Sequence, residues 1–340
     1  MKHAILLFGG RSDEYEISLC SAAAILRAAE DIPYTLTPVV MTKAGDFFLC
    51  HGTASEIESG TFEKNLQAEE SLFPVRGGFV AESGKLCLSP TVIFPVMHGG
   101  FGEDGRLQGL LSYVGIPFVG CKTECSAVAM NKLLAKHLVK RCGIQTARAM
   151  PLTGNDFEKA AKALGLPFFL KPVSGGSSVG AGIVRCREDL GRLFPLAQNC
   201  GDVMAEEYVK AREIEVAVIE DESGITASCP GEVVPAAEFY DYADKYEKNA
   251  AILHCPAPLS EKLAERVRCD AVRIFRALGG RSLSRVDFFL TKDGRLLFNE
   301  INTMPGFTRD SLYPRLISQT LGISVGTLVT RLLDYAVTHP

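Results

Sequence analysis

The sequence predicts a mixed α/β and α+β protein of two or three lobes around a cleft, with a parallel sheet in its first third. Three observations carry that expectation. At 340 residues the chain exceeds what one hydrophobic core usually serves. Up to about residue 120, apolar strand-like runs alternate with helical segments, the rhythm of a parallel sheet with covering helices. Farther on, strand-like runs follow one another closely and end in a hairpin.

Composition narrows the function. With 47% hydrophobic and 22% charged residues the chain is an ordinary soluble globular protein. A net charge of -4 offers no basic footprint, so neither nucleic acid nor membrane is expected as a partner. The eleven cysteines are odd in number and scattered, with no Cys-x-x-Cys. They read as reduced thiols of a cytoplasmic protein rather than zinc ligands. The apolar run Ala4–Phe8 stops at Gly9-Gly10 and is too short for a signal peptide, and no stretch approaches the roughly twenty residues of a membrane span.

In chain order, Ala4–Phe8 reads as a buried first strand and Ile17 to Ala29 as a helix. Thr91–Val96 is another strand, followed by a glycine-rich loop and a helix near Arg106–Tyr113. Thr123 is an expected N-cap of one helix ending near Gly143, with Met130, Leu134 and Leu138 as its apolar stripe. Lys132, about 200° around from Met130, belongs to the opposite face of such a helix. Pro167–Lys171, Gly182–Cys186, Val203–Val209 and Ile214–Ile219 are strand-like. The polar and aromatic stretch 235–256 lacks periodicity and suits an Ω-type loop or a lid. Ser260–Leu278 is helical and closed by Gly279-Gly280, and Val325–Ala336 is the final helix.

The segment Ser284–Asn302 is the most informative. Arg285 and Asp287 alternate with apolar residues, as do Glu300 and Asn302, and Asp293-Gly294 is a strong hairpin signal. A two-residue loop there pairs Lys292 with Arg295, setting Asp287 opposite Glu300 and Arg285 opposite Asn302. Like charges about 5 Å apart destabilise a sheet, so a cation belongs between them. Two carboxylates and an amide suit Mg²⁺, which keeps phosphate oxygens and water as its other ligands. The alternative is a solvated face on which Arg285 neutralises both acids.

Other signals are weaker singly. Lys171 to Gly180 resembles a phosphate-cradling loop, yet it joins two strand-like runs and is no Walker A motif. It is either a flap over nucleotide phosphates or a floppy hairpin. Glu14, in the loop after the first strand, complements a helix dipole or binds a substrate ammonium. His98 is a turn residue or a site residue. No Gly-x-Gly-x-x-Gly follows the first strand, which argues against a nicotinamide dehydrogenase.

Together these residues carry a resemblance. Phe8-Gly9-Gly10-x-Ser12-x-Glu14-x-Glu16-Ile17-Ser18, His98-Gly99 with Gly102-Glu103-Asp104-Gly105, and Met130-x-Lys132 resemble D-alanine–D-alanine ligases. So do Lys171-Pro172 with Gly176-Ser177-Ser178-Val179-Gly180, Phe239-Tyr240-Asp241-Tyr242 with Lys245-Tyr246, and Arg285-x-Asp287. Glu300-Ile301-Asn302-Thr303-x-Pro305-Gly306-Phe307-Thr308 completes the set, in family order from Phe8 to Leu312.

The resemblance implies an N-terminal substrate-binding domain (1–121) and a two-lobed ATP-grasp fold (122–206 and 207–340) with a lid at 235–256. It implies ATP and D-alanine as substrates, two Mg²⁺ ions with Mn²⁺ as a substitute, a homodimer, and a role in peptidoglycan synthesis. Lys132, Lys171, Ser178, Glu206, Glu207, Val209, Glu213, Phe239 and Phe298 would surround the nucleotide. Asp287, Glu300 and Asn302 match the metal ligands. Glu14, Ser177 and Tyr246 would form a linked set at the substrate ammonium, and Arg285 with the Gly306 N–H would stabilise an oxyanion. His98, Lys245, Ser311 and Leu312 would line the amino-acid subsites.

Relatives that make D-alanyl-D-lactate generally replace the tyrosine retained here as Tyr246. Those preferring D-serine often carry arginine in place of Leu312. Both residues therefore favour D-alanine, with D-alanine–D-serine ligation as the alternative. Asn131, the small Val173-Ser174-Gly175 and Arg309-Asp310 depart from the family pattern. Another ATP-grasp carboxylate–amine ligase or a non-catalytic nucleotide-binding protein are the remaining alternatives, disfavoured by the retained Glu14, Ser177, Tyr246 and acidic sets.

Overall fold

β1 (Lys2–Gly9) is apolar on both faces because both faces of its sheet are covered. Ala4, Leu6 and Phe8 enter one core and Ile5 and Leu7 another. α1 (Tyr15–Arg27) packs Leu19, Ala22 and Ile25 against the first of these, and β2 (Tyr34–Met41) returns parallel to β1. Then come β3 (Phe47–Leu49), α2 (Ala54–Glu58), α3 (Glu63–Leu66), β4 (Ser71–Val75), β5 (Gly78–Ala81), β6 (Cys87–Leu88) and β7 (Val92–Pro95). The strand order is β6-β5-β4-β3-β2-β1-β7. Parallel pairing is confined to β2-β1-β7, and β3 to β6 extend the sheet as an antiparallel meander. α4 (Gly100–Glu103) and α5 (Arg106–Val114) follow β7. The computed structural model describes residues 2–66, 68–154, 156–176, 180–235 and 252–340. Most of the expected lid, 236–251, thus lies outside the described residues.

The single helix expected from Thr123 to Gly143 is in fact two, α6 (Thr123–Met130) and α7 (Lys132–Arg141). Asn131 breaks it: its backbone is extended (φ -85, ψ 98) and its side chain caps α7 by accepting from the Leu134 N–H. The break resets the helical phase. Leu134 and Leu138 are exposed, while Ala135, Lys136 and Val139 are buried, which corrects the expected stripe. Met130 and Lys132 line the same cleft rather than opposite faces.

β8 (Ala149–Leu152), α8 (Phe157–Leu164), β9 (Phe168–Pro172), β10 (Gly182–Val184), α9 (Arg187–Asn199) and β11 (Val203–Glu207) build a sheet of order β10-β9-β11-β8. Phe168, Leu170, Val203 and Ala205 turn one face toward α8 and α9. Alternation puts Lys171, Met204 and Glu206 on the other.

A third sheet has order β15-β14-β12-β16-β17, with β13 at the side. Its strands are β12 (Ala211–Asp221), β13 (Gly224–Ala227), β14 (Gly231–Val234), β15 (Ile252–His254), β16 (Leu283–Thr291) and β17 (Leu296–Asn302). α10 (Glu261–Ala277) covers one face together with α6 and α7. α11 (Leu312–Leu321) and α12 (Val325–Thr338) share a core with β1 and α1, so the first and third sheets are tied together. No single helix among the described residues is long and apolar enough to cross a membrane.

The hairpin corrects the expected loop. Thr291 N–H donates to Arg295 O at 3.0 Å around the three residues 292–294, with Gly294 at φ +81. A three-residue loop slips the register by one, and near the turn Phe288 does pair with Phe298. A β-bulge then leaves Asn299 unpaired and restores Asp287 to Glu300 and Arg285 to Asn302. Two departures cancel, and the expected pairing survives. The bulge also turns Phe298 into the core beside Ile301, not onto the polar face with Glu300 as alternation predicted.

Candidate active site

Three acidic residues stand in a row across neighbouring strands: Glu215 is opposite Asp287, which is opposite Glu300. Arg285 shares their face. Its Nε and Nη2 donate to Asp287 Oδ1 and Oδ2 at 2.8 and 2.7 Å, and Nε lies 3.0 Å from Glu215 Oε2. Burial opposes the guanidinium charge, but Asp287 and Glu215 outweigh it and push the Arg285 pKa up. Among the described residues, Arg285 thus stands on one face with three acids. Glu215 is the member the sequence reading missed, although the alternation Glu213-Ile214-Glu215-Val216 carries its signal.

Among the described residues no three Asp, Glu, His or Cys side chains form a metal shell. The donors nevertheless fit magnesium, which needs few protein ligands when phosphate supplies the rest. Asp287 and Glu300 are paired, Arg285 stands as a cation on Asp287, and Asn302 Oδ1, accepting from the Met304 N–H at 2.9 Å, retains a lone pair.

The loops after β1 and β7 converge on Glu14, the N-cap of α1. A Cβ on Gly99 would come within 2.3 Å of Glu14 Oε2, and one on Gly176 within 2.9 Å. The Glu14 carboxylate is thus packed against the loops after β7 and β9, and Gly99, at φ +67, takes a backbone conformation that favours glycine. His98 Nδ1 lies 3.0 Å from Met304 O, an acceptor only, so Nδ1 carries the proton and Nε2 accepts from Ser21 Oγ at 2.9 Å. Ser21 Oγ in turn accepts from the Phe307 N–H. His98 thereby fixes the 304–307 loop, and burial lowers its pKa, keeping the ring neutral. Glu103, unmarked as a site residue in the sequence, is buried nearby. Burial and the Glu14 charge raise its pKa well above the usual value.

Gly306, Ser311 and Leu312 reach the same cleft, of about 920 Å³, as do Glu14, His98, Lys132, Glu215, Arg285, Glu300 and Asn302. A Cβ at Gly306 would meet Ser311 Oγ at 2.7 Å, and that hydroxyl holds the Thr308 N–H. Leu312 is largely buried, one side in the core shared by α11 and α12.

Of the expected site residues among those described, Lys171, Glu206, Glu207, Val209, Glu213, Asp287 and Phe298 do not line that cleft. Lys132 Nζ donates to Gly175 O at 2.6 Å, tying α7 to the glycine loop. Lys171 Nζ and Lys136 Nζ flank the Glu206 carboxylate at 2.8 and 2.6 Å. Glu207 instead turns to Arg148, whose Nε lies 2.6 Å from Oε2. Val209 follows β11, and Glu213 stands opposite Phe289 on the face that bears Glu215.

Models of the D-ala D-ala ligase N-terminus and C-terminus match residues 3–121 and 138–334. The chain belongs to the D-alanine–D-alanine ligase family. It is 40% identical to a D-alanine–D-alanine ligase of Chlorobium phaeovibrioides over 98% of this chain and 96% of that one. It is 38% identical to D-alanine–D-alanine ligase A of Brucella suis, covering 98% and 97%. The crystal structure of the VanG D-Ala:D-Ser ligase from Enterococcus faecalis superposes with a TM-score of 0.87 at 32% identity, covering 98% and 99%. Of the residues that suggested this ligase family, Ser177, Ser178, Val179, Phe239, Tyr240, Asp241, Tyr242, Lys245 and Tyr246 lie outside the described residues.

Proposed function

We propose that this ligase condenses two D-alanines into D-alanyl-D-alanine, converting ATP to ADP and phosphate. The observation that carries the reading is the convergence on one cleft of Glu14, Arg285, Glu300, Asn302 and Gly306. Glu14 holds the ammonium of the first D-alanine, through Ser177 and Tyr246 as the family pattern implies. The substrate carboxylate then attacks the γ-phosphate of ATP and forms an acyl phosphate. The amine of the second D-alanine attacks that carbonyl, loses a proton and expels phosphate. Arg285 and the Gly306 N–H meet the negative charge that develops on the carbonyl oxygen.

Lys132, Lys171 and Ser178 serve the phosphates, with Glu206, Glu207, Val209, Glu213 and Phe239 around the nucleoside. Phe298 is buried in the core, and its carbonyl accepts from Lys136. Asp287, Glu300 and Asn302 hold one or two magnesium ions, which neutralise phosphoryl charge when bound. His98 positions the 304–307 loop, and Lys245, Ser311 and Leu312 border the second amino acid. The 235–256 segment excludes water that would hydrolyse the acyl phosphate. Domain limits at 121 and 206, a cytoplasmic homodimer and a part in peptidoglycan synthesis belong to the same reading.

A phosphate-release assay with D-alanine, D-serine and D-lactate offered in turn is the test. Release is expected to depend on D-alanine and to be greatest with D-alanine alone. Clearly greater release when D-serine joins D-alanine, with D-alanyl-D-serine as the main product, would shift the assignment to that ligation, and nucleotide binding without release would refute ligation.

A further inference from the structure

Lys136 lies on the buried face of α7 and is 2% exposed. Its Nζ is 2.6 Å from Glu206 Oε1 and donates to Phe298 O at 3.3 Å. The other oxygen of that carboxylate, Oε2, is 2.8 Å from Lys171 Nζ. Two buried ammonium groups therefore share one buried carboxylate. An ion taken out of water needs a partner, so the surplus positive charge calls for an anion. Lys132 stands one turn before Lys136 on the same helix, at i and i+4, and its Nζ reaches the glycine loop. Both lysines thus project from the same side of α7.

Lys171 Nζ has three N–H donors, so it can turn one to a phosphate while another stays on Glu206. Were it the sole partner of that carboxylate, the two charges would cancel and leave none for the phosphate. We propose that Lys136 is a positioning residue that keeps Glu206 neutralised, so that the charge of Lys171 is left for the phosphates of ATP. The backbone carbonyl of Phe298, on β17, fixes the other side of the Lys136 ammonium and ties this arrangement to the third sheet. The Phe298 ring lies 5.9 Å from the same nitrogen and shields it from water. This inference rests on the reading of the protein as an ATP-dependent ligase.

The test is binding without turnover, in the full chain, of ATP and of adenosine, which has no phosphate. Lys136→Met is expected to lower ATP affinity about tenfold while adenosine affinity stays within about twofold, and Lys136→Arg is expected to restore the wild-type ATP-to-adenosine ratio. Equal loss for both ligands in a folded Lys136→Met protein, or no loss for either, would overturn the inference. The double variant Lys136→Met/Glu206→Gln removes charge and countercharge together, so it also covers a poorly folding single variant. Its ATP-to-adenosine ratio should return at least to that of wild type, and a ratio still depressed would overturn the role of Lys136. Wild-type protein that fails to bind ATP would instead remove the ligase reading beneath it.

Discussion

Two buried charge clusters on neighbouring sheets have opposite balances. On β12, β16 and β17, three carboxylates (Glu215, Asp287, Glu300) surround one guanidinium, Arg285. Between α7, β9 and β11, two ammonium groups share one carboxylate, Glu206. Among the described residues the first arrangement holds more acids than cations and the second more cations than acids. On the function proposed above, a metal–phosphate ligand would complement both at once. The clusters also sense each other: burial lowers the Lys136 pKa, and Glu206 and then Glu300 act against that shift.

The comparison breaks most sharply at the acidic cluster. Asp287→Asn or Glu300→Gln should lower kcat by about 10³-fold or more with the fold intact by circular dichroism. Near-normal turnover in either would show that the acids hold no metal. Glu215→Gln leaves Arg285 held by Asp287 alone. A fall of about 10²-fold in kcat with KM for ATP little changed is expected if Glu215 orients Arg285. A changed KM for ATP alone would place Glu215 with the nucleotide.

At the cationic cluster, burial favours neutral Glu206, but Lys136 and Lys171 outweigh it and lower the carboxyl from 4.5 to about 2. The unfolded chain therefore takes up this proton first. The stabilisation is complete above about pH 4.5 and is lost as pH falls through about 2, amounting to about 3 kcal/mol. Acid unfolding of Glu206→Gln should lack this component, and identical acid transitions would show the pair to be weak.

Glu103 behaves oppositely, because burial and the Glu14 charge both oppose its ionisation. With its folded pKa raised, both states are protonated below about pH 4.5, and stability declines as pH rises and only the unfolded chain ionises. Glu103→Gln should raise Tm by about 2 °C at pH 8 and leave it unchanged at pH 4. A lower Tm at pH 8 would show that the carboxyl is ionised and bound in the folded state.

Much of this was legible in the residues because strand alternation and turn chemistry are local. β1, the pairing of β9 with β10, and α10 follow from them, and the opposition of Asp287 and Glu300 holds because two departures cancel. The hairpin shows where local reading stops. Alternation tells which residues share a face but not how many residues the loop takes, nor where a bulge removes one from the count. Asn131 is similar: its side chain caps α7, and that break, invisible to a periodicity spanning it, turned Lys136 inward.

By itself the sequence determined the kind of protein, through the order and spacing of its motifs and the alternating acids of its last hairpin. Only the tertiary structure decided which charges are buried and who neutralises them. Lys136 meets Glu206 across 70 positions, Glu215 meets Arg285 across another 70, and Glu103 comes beside Glu14. Desolvation and Coulomb energy depend on distances through space, which the spacing of residues along a chain does not fix.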